Sequence, residues 1–476
     1  MQERSRLAAI VVASSLVLIP TPHATTGPAR AATRSHRPDV IVILTDDERA
    51  RTLRWMPYVW RDVVRKGKLF PNAMVPTSVC CPSRASLLTG LYAHSTKVWS
   101  NVPGWKAFHD AGMEQRTVAV WLHAAGYRTA LVGKYLNGFS ASTKPPGWSI
   151  WHSFLGENGA YYDYRLLNTS GTVTSYGSAP SDYSTGVLRR FAVEFLRSTP
   201  AARPLFLYFA PFAPHGPPMP APRDVGRRTP LQPFSRPDFD EGDRSDKPSW
   251  IRSLPPVSRS RVDAYRENQW RSLQAVDRTV QAIVQEQKAR SRLRNTIVVV
   301  MSDNGDMWGE HRVLGKYIAY DSSTRVPLAI RWSKRLHPES TDHRLALNLD
   351  IPVTIAAAAR ASTGPVEGRN LFAGGRRRGF VLEAERARAG GANGTNVTRP
   401  AYCGFRTLRY LWVRYANGRR EFYDYAKDPY ELTDRHRAPG DADVRHRLRH
   451  RTRVACDPPP PGYSWSVNAG WLTSVP

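Results

Sequence analysis

Acidic and amide side chains follow directly on two strand-like segments of this 476-residue sequence. Asp46 and Asp47 come after the apolar run VIVIL, and Asp303 and Asn304 come just after the run TIVVVM. Because the carboxyl ends of parallel strands meet at one edge of a sheet, these side chains are predicted to form one oxygen-rich cluster. Such a ligand set suits Ca²⁺ better than Mg²⁺. Each pair alone could instead cap the amino terminus of a helix, and this alternative stays open.

Three basic side chains are predicted at the same edge of the sheet. Lys134 follows the run RTALV, His215 follows PLFLYFA, and Lys316 lies in the segment after Asp303. Cations gathered around a divalent metal form a binding site for a tetrahedral oxyanion. The sequence therefore predicts a site for a sulfate or phosphate group beside the metal cluster.

Strand-like runs alternate with segments of helical spacing, and this alternation predicts the fold. Helices are predicted over 118–125 and around 273–284, and a long loop that shapes substrate access or decorates the surface is predicted over 217–249. Strands are predicted at 40–44, 128–132, 204–210, 296–301 and 326–330. The pattern predicts an α/β fold with a mostly parallel sheet flanked by helices, as the catalytic domain over 38–370.

The two ends of the chain differ from this middle part. A basic start followed by the apolar run 7–19 predicts an export signal over 1–31, with an uncleaved membrane anchor as the alternative. The protein is therefore expected to be secreted or extracytoplasmic, where a disulfide between Cys403 and Cys456 is favoured. Asn417-Gly418 between two strand-like runs predicts a hairpin, within a C-terminal antiparallel subdomain over 376–476.

The chain carries 68 Lys and Arg residues against 40 Asp and Glu residues, a formal net charge of +28. This excess either attracts an acidic polymer or is a general property of the protein without meaning for a ligand. The cations are scattered along the sequence, with one tight cluster at Arg376, Arg377 and Arg378. No nucleic-acid partner is expected.

The segment CCPSRASLLTG at 80–90 contains the signature C-x-P-S-R-x-x-x-L-T-G. Through this signature the chain resembles the type I sulfatases of the alkaline-phosphatase-like superfamily. The segments LTDD, GKY, PHGP, SDNG, RTLRYLWVRY and DPYEL match further motifs of that family in the same order. The resemblance extends over residues 38–434, and its signature is highly specific.

The resemblance implies that a separate formylglycine-generating enzyme oxidises Cys80 to formylglycine, also called 3-oxoalanine. Cys80 rather than Cys81 is in frame, because Pro82 and Arg84 follow it at the required positions. The hydrated aldehyde is then expected to attack sulfur and to release sulfate by means of its second hydroxyl group.

The resemblance also implies roles for the other site residues. One Ca²⁺ ion is expected to be held by residue 80 together with Asp46, Asp47, Asp303 and Asn304. The sulfate group is expected to be neutralised by Arg84, Lys134 and Lys316, and the leaving alcohol to be protonated by His215 or Lys316. His94 and His311 are weaker candidates, for which a structural role is at least as well supported.

The segment GKYLN at 133–137 resembles the N-acetylglucosamine-6-sulfatases within this family. Many arylsulfatases have a sulfate-binding histidine two positions after the lysine, but this chain has Leu136 there. The resemblance suggests that Asn137, or a residue of another loop, contacts the substrate instead. A sulfate ester of a sugar or polysaccharide is the implied substrate, with an aryl sulfate as the other possibility.

Two alternative functions stay open. The first is hydrolysis of phosphonate monoesters or phosphodiesters, because relatives with that activity can share the formylglycine signature. The second is a polyanion-binding protein without catalytic activity, although the intact set of site residues argues against it. Beyond the maturation enzyme, the sequence identifies no protein partner.

Overall fold

A computed structural model describes residues 37–156, 159–390 and 396–466 of the chain. The predicted export signal at 1–31 lies outside these ranges. Among the described residues, no helix combines the length and the apolar character that crossing a bilayer requires.

The strands and helices of the described residues are as follows. The strands are β1 (Asp39–Thr45), β2 (Lys68–Leu69), β3 (Ala73–Met74), β4 (Arg128–Gly133), β5 (Ile150–Phe154), β6 (Tyr164–Asn168), β7 (Val173–Tyr176), β8 (Leu205–Ala210), β9 (Thr296–Ser302), β10 (Met307–Trp308), β11 (Leu314–Gly315), β12 (Leu328–Arg331), β13 (Ser340–Thr341), β14 (Ala346–Leu347), β15 (Phe380–Ala384), β16 (Ala387–Gly390), β17 (Asn396–Arg399), β18 (Tyr402–Arg406), β19 (Tyr410–Tyr415) and β20 (Arg420–Asp424). The helices are α1 (Pro57–Val59), α2 (Cys80–Thr89), α3 (Ala93–Thr96), α4 (Trp105–Asp110), α5 (Val118–Ala124), α6 (Ser184–Ser198), α7 (Ser249–Arg252), α8 (Arg259–Ala289), α9 (Asp321–Thr324), α10 (Asp350–Ala359) and α11 (Ala442–Ala455).

The central sheet has the strand order β13-β2-β12-β9-β1-β8-β4-β5-β6-β7 among the described residues. β1 lies near its middle and pairs in parallel with β8 on one side and with β9 on the other. β4 and β5 continue the parallel part, whereas β12, β6 and β7 are antiparallel to their neighbours. The predicted mostly parallel sheet is therefore confirmed. Its register places Thr45 beside Ser302, so the segments that follow β1 and β9 leave the sheet next to one another.

Alternate residues of β1 face two hydrophobic layers, because successive side chains of a strand point to opposite faces. Val40, Val42 and Leu44 pack in the layer that contains α2, α5 and α10. Ile41 and Ile43 pack in the layer that contains α6 and α8. The two predicted helices are confirmed as α5 and α8, and the sheet is covered by helices on both faces.

One predicted strand is displaced and one predicted loop is confirmed. The strand expected at 326–330 forms as β12, from Leu328, and is antiparallel to β9. Pro327 has no N–H group to donate to a neighbouring strand, and Val326 donates instead to the carbonyl of Ala73. The stretch 217–249 is irregular apart from the 3₁₀ turn Pro222–Asp224 and the start of α7.

Strands β15, β18, β19 and β20 form an antiparallel sheet in the C-terminal part of the chain. The predicted hairpin is confirmed as β19 and β20, and Gly418 in its turn has a φ of 83°, which favours glycine. α11 packs against β18, and the predicted disulfide Cys403–Cys456 links this strand to the end of the helix. The division between a catalytic domain and a C-terminal subdomain at 370–376 stays a prediction.

Removal of the disulfide is expected to destabilise the protein. The two cysteines are 53 positions apart, and the chain-entropy model assigns about 4 kcal/mol to a loop of that length. The double variant Cys403→Ser and Cys456→Ser should lose about this much free energy of unfolding in urea denaturation. Equal stability of variant and parent, or two free thiols in non-reducing peptide mapping, would contradict the bridge.

A cluster of charged side chains around His94 joins α3 to the C-terminal sheet. The Nδ1 of His94 lies 2.8 Å from an oxygen of Glu383 in β15, and its Nε2 lies 3.4 Å from an oxygen of Glu367. Burial lowers the pKa of His94, but the hydrogen bonds and charges of the two carboxylates outweigh this effect and raise the pKa to about 9. His94 thus connects α3 with Glu367 and with β15, and the site at Cys80 does not include it.

The charge of His94 is expected to make stability depend on pH. Because the pKa of about 9 in the folded protein exceeds the ordinary 6.5, the contribution is full below pH 6.5 and is lost as pH rises through 9. In urea denaturation, His94→Gln should lose most stability below pH 6.5, and its difference from the parent should shrink toward pH 9. The exposed His123→Gln serves as a control with little effect at any pH. A loss that stays constant with pH would refute this role.

Candidate active site

Helix α2 begins at Cys80 and is buried along its whole length. The Cys80 Sγ lies 3.5 Å from Asp46 Oδ1 and 3.9 Å from Asp47 Oδ1. The Nζ of Lys316 donates to the same sulfur at 2.7 Å. Burial raises the pKa of the Cys80 thiol far above its usual range, and the charge of Asp46 adds to this shift. The start of α2 is thus held against the carboxyl end of β1.

The acidic and amide residues at the ends of β1 and β9 meet beside Cys80. The backbone N–H of Asp47 donates to Asp303 Oδ1 at 3.1 Å, and Asn304 Nδ2 donates to Asp47 Oδ1 at 2.7 Å. Neither pair occupies the N-cap position of a helix, so the alternative capping role is wrong. The four predicted ligands therefore form one cluster, as the strand ends indicate.

The donor set of this cluster can hold a metal ion. Oxygens of Asp46 and Asp47, the Sγ of Cys80 and a ring nitrogen of His215 all lie within 4.8 Å of one another. The Asn304 Oδ1 is buried and has no hydrogen-bond partner among the described residues. A buried oxygen without a partner is costly, and a bound cation would satisfy it. Four carboxylate or amide side chains around this position fit the oxygen preference of Ca²⁺.

Each cation of the predicted anion site pairs with a carboxylate of the cluster. The pairs are Lys134 Nζ with Asp46 Oδ2 at 2.5 Å, Arg84 Nε with Asp303 Oδ2 at 2.7 Å, and Lys316 Nζ with Asp47 Oδ1. All six side chains are buried, and the three negative charges balance the three positive ones. A divalent cation would leave this cluster with an excess of two positive charges, which suits an anionic ester.

The paired cations keep the acidic side chains ionised. Burial alone would raise the pKa of Asp46, but the charges of Lys134 and Arg84 lower it to about 2. The pKa of Asp47 is lowered as well, because Lys316 and His215 outweigh its burial. Both groups are therefore carboxylates at neutral pH and available as metal ligands.

The residues next to the site motifs have different surroundings. Cys81 and Leu136 pack in the hydrophobic layer with α2 and α5, so neither faces the metal cluster. Asn137 is 1% exposed, and its side-chain amide has no hydrogen-bond partner among the described residues. The contact of Asn137 with substrate stays a prediction. His311 is fully buried, with Nδ1 2.7 Å from Glu241 Oε2.

The structure adds positioning residues that the sequence did not indicate. The Asn348 side chain donates to the Ser83 carbonyl and hydroxyl oxygens, both at 2.9 Å, and the Ser83 hydroxyl donates to the carbonyl of Asp303. The Cys81 N–H donates to Asn101 Oδ1 at 2.9 Å. These contacts fix α2 against the end of β9. Asn348 lies 265 positions from Ser83, and no local pattern marks such a pair.

Comparison with known proteins identifies the family. A family model described as Sulfatase matches residues 38–361, which is more than half of the chain. The chain therefore belongs to the sulfatase family, and the resemblance stated from its motifs is confirmed.

Named relatives agree with this assignment. An extracellular sulfatase SULF-1 homolog of Drosophila melanogaster is 32% identical over 71% of this chain and 31% of its own length. An N-acetylglucosamine-6-sulfatase of Capra hircus is 30% identical over 69% of this chain and 61% of its own length. The chain thus spans 31% and 61% of the length of these two curated relatives.

Solved structures share the fold. A protein in complex with its substrate D-glucosamine-2-N,6-O-disulfate aligns with a TM-score of 0.74 and 20% identity, over 88% of this chain and 98% of its own. A phosphonate monoester hydrolase of Agrobacterium radiobacter aligns with a TM-score of 0.68 and 19% identity, over 89% and 96% of the two chains. Both likenesses support the predicted fold class.

The oxygen cluster is expected to lose Ca²⁺ affinity when one carboxylate is neutralised. Asp303→Asn should weaken Ca²⁺ binding by at least about tenfold, or 1.4 kcal/mol, in isothermal titration calorimetry. Lys134→Gln should retain the ion, because it removes a cation that competes for Asp46. Asp443→Asn, an exposed carboxylate on α11, is the matched control and should bind as the parent does. Unchanged affinity of Asp303→Asn would exclude the cluster as the metal site.

Proposed function

We propose that this protein hydrolyses sulfate monoesters with a formylglycine derived from Cys80 and one Ca²⁺ ion. The observation that carries the proposal is the convergence of residue 80, the oxygen cluster and three buried cations at one edge of the sheet. Membership of the sulfatase family supports it. The second candidate function is binding of a polyanion without catalysis. It does not explain why three ion pairs are buried around Cys80, where burial of charge is costly.

The Ca²⁺ ion would be held by Asp46, Asp47, Asp303 and Asn304, with an oxygen at residue 80. A bound Ca²⁺ ion polarises a sulfate oxygen and offsets the negative charge of the ester. His215 belongs to the group of possible ligands by distance, but we assign it to the substrate because its side chain is 24% exposed.

Residue 80 would supply the nucleophile. Hydrated formylglycine would have one hydroxyl group that attacks sulfur and a second one whose deprotonation re-forms the aldehyde and breaks the bond from carbon to the sulfated oxygen, so that sulfate leaves. Lys316 lies 2.7 Å from the atom at this position, where it can donate a hydrogen bond to either hydroxyl. Because Cys80 and Arg84 are fully buried, a maturation enzyme that recognises both has to act before the chain folds.

The cations around residue 80 would bind the ester and protonate its leaving group. Arg84 and Lys134 lie on the Asp303 and Asp46 side of the cluster, where they offset charge on the sulfate. The His215 Nδ1 donates to the carbonyl of Gly216 at 2.7 Å, so its Nε2 is the nitrogen that can hold a transferable proton. This nitrogen lies at the exposed side of the site, 3.5 Å from Asp47, and is the group we assign as general acid.

The substrate we propose is a sulfated sugar. One relative is named N-acetylglucosamine-6-sulfatase, and one solved structure holds a glucosamine disulfate as its substrate. We extend this substrate class to the present chain, with Asn137 as a further substrate contact. Secretion is proposed on the same grounds, because other relatives are named extracellular sulfatases.

Hydrolysis of a phosphonate monoester is the alternative activity, which the fold shared with a phosphonate monoester hydrolase favours. Rates of hydrolysis measured side by side on 4-nitrophenyl sulfate, glucosamine 6-sulfate and a 4-nitrophenyl phosphonate ester distinguish the sulfatase from the phosphonate hydrolase activity. The proposal expects the highest kcat/KM on a sulfate ester, and a preference for the phosphonate would overturn it.

The two adjacent cysteines are expected to differ sharply. Cys80→Ala should lower turnover of a sulfate ester by about 1,000-fold or more, because it removes the nucleophile and its metal contact. Cys81→Ala should retain most turnover, because Cys81 packs in the hydrophobic layer. Mass spectrometry of the peptide that spans 80–84 should find the aldehyde at position 80 in the parent and in Cys81→Ala. An aldehyde at position 81, or an active and folded Cys80→Ala protein, would refute the mechanism.

A further inference from the structure

The exposed surface of helix α11, called its basic face below, carries arginines on two flanks: Arg447 and Arg451 share one flank and Arg449 and Arg453 the other, because residues four apart lie on the same side of a helix. Arg447, Arg449, Arg451 and Arg453 are all exposed, and Asp443 is the single acidic residue of the helix. In the sequence these arginines alternate with other residues, so that the consecutive arginines at 376–378 are the more obvious basic cluster. That cluster is partly internal, because the side chain of Arg377 is 6% exposed and pairs with Asp350.

The arginines of this face are not neutralised by the fold. In the described part of the chain, the side chains of Arg447, Arg449 and Arg453 have neither an ion pair nor a hydrogen bond, and Arg451 lies 5.8 Å from the Phe405 ring centroid. Arg420 of β20 lies close to Arg449, and besides burial this neighbour lowers its pKa. The basic face therefore extends from α11 onto the edge of the C-terminal sheet.

Packing and a disulfide stabilise α11 although repulsion between its arginines destabilises the helix. Like charges one turn apart, as at Arg449 and Arg453, destabilise a helix. Leu448 and Thr452 lie between the two arginine pairs and are buried against the sheet, and the disulfide at Cys456 fixes the end of the helix. The repelling cations of α11 are thus held in place by packing and by a covalent link.

The basic face lies apart from the catalytic site. α11 covers the face of the C-terminal sheet that carries Phe405, Trp412 and Phe422. The opposite face of this sheet packs against Ile318, two positions from Lys316. A ligand on α11 is consequently separated from residue 80 by the thickness of the sheet, and only an extended molecule could contact both.

We propose that the exposed face of α11, with Arg420, is a docking surface for a linear sulfated polysaccharide. The proposal rests on the proposed function, because it assigns the polymeric form of the substrate class to a second surface. Unpaired guanidinium groups bind sulfate groups by charge-assisted hydrogen bonds, and a chain of sulfates that contacts either flank of the helix would release counterions there. The docked polymer would raise the concentration of its sulfate esters near the active site.

Binding of heparin to the full-length protein tests the surface directly. The triple variant Arg447→Gln, Arg449→Gln and Arg453→Gln should bind heparin about tenfold more weakly and reduce the salt slope of binding by about one for each lost contact. The charge-matched control replaces three exposed cations elsewhere by Gln, namely Lys66, Arg189 and Arg294. The control should change the affinity by less than about twofold. Equal losses in the two triple variants would overturn the proposal, since diffuse charge would then explain binding.

Two further measurements test which class of polymer binds and whether the α11 variant affects catalysis. Single-stranded DNA of equal charge should bind more weakly than heparin and should compete poorly; tighter binding of the DNA would overturn the assignment to a polysaccharide. Hydrolysis of glucosamine 6-sulfate should be the same in parent and α11 variant, while the KM for a sulfated polymer rises. If the parent protein hydrolyses no sulfate ester, the proposed function is wrong. The comparison of heparin binding by the two triple variants then still tests whether α11 is a docking surface.

Discussion

The parallel pairing of β1 with β9 is the constraint on which the site depends. Because Thr45 lies beside Ser302, the two carboxylates after β1 and the Asp-Asn pair after β9 emerge at one place. A slip of one residue would turn the side chains of either strand to the opposite face and separate the cluster. Ser83 and Asn348 then fix α2 so that its first residue, Cys80, meets the cluster.

Charge balance is the second requirement of this arrangement. Burying an ion costs several kcal/mol unless a partner compensates it, and here each of the three carboxylates lies beside Arg84, Lys134 or Lys316. On the proposed function, the same pairing would prepare the site for its two ligands. A divalent cation would bind the carboxylates and an anionic ester would bind the basic side chains, so that each ligand meets groups of opposite charge.

The sequence predicts those features that are determined locally. Apolar runs and the residues directly after them indicate the strands, the oxygen cluster and the basic side chains at the same edge of the sheet. The Asn417-Gly418 turn indicates the C-terminal hairpin. Features that depend on packing between distant segments were not predicted. Asn348 donates hydrogen bonds to Ser83, which lies 265 positions away in the sequence. Strand β12 begins at Leu328 and not at the predicted residue 326, because Pro327 has no N–H group to donate to a neighbouring strand.

Charge shows the same limit of sequence analysis. The cluster at 376–378 is obvious in the sequence, yet Arg377 is engaged by Asp350 inside the protein. The arginines of α11 alternate with other residues and appear scattered, but the helix pairs them on its two exposed flanks, as Arg447 with Arg451 and Arg449 with Arg453. Whether a cation is free or paired is decided by tertiary contacts, which composition does not contain.

We propose that residue 80, in its oxidised form, and the ends of β1 and β9 bind one Ca²⁺ ion together. The decisive measurement is a crystal structure of the matured protein grown with Ca²⁺, with anomalous difference maps. We expect one ion bound by Asp46, Asp47, Asp303 and Asn304, with an oxygen of residue 80 in contact with it. An ion elsewhere, or an unmodified Cys80 in protein that hydrolyses sulfate esters, would refute this assignment.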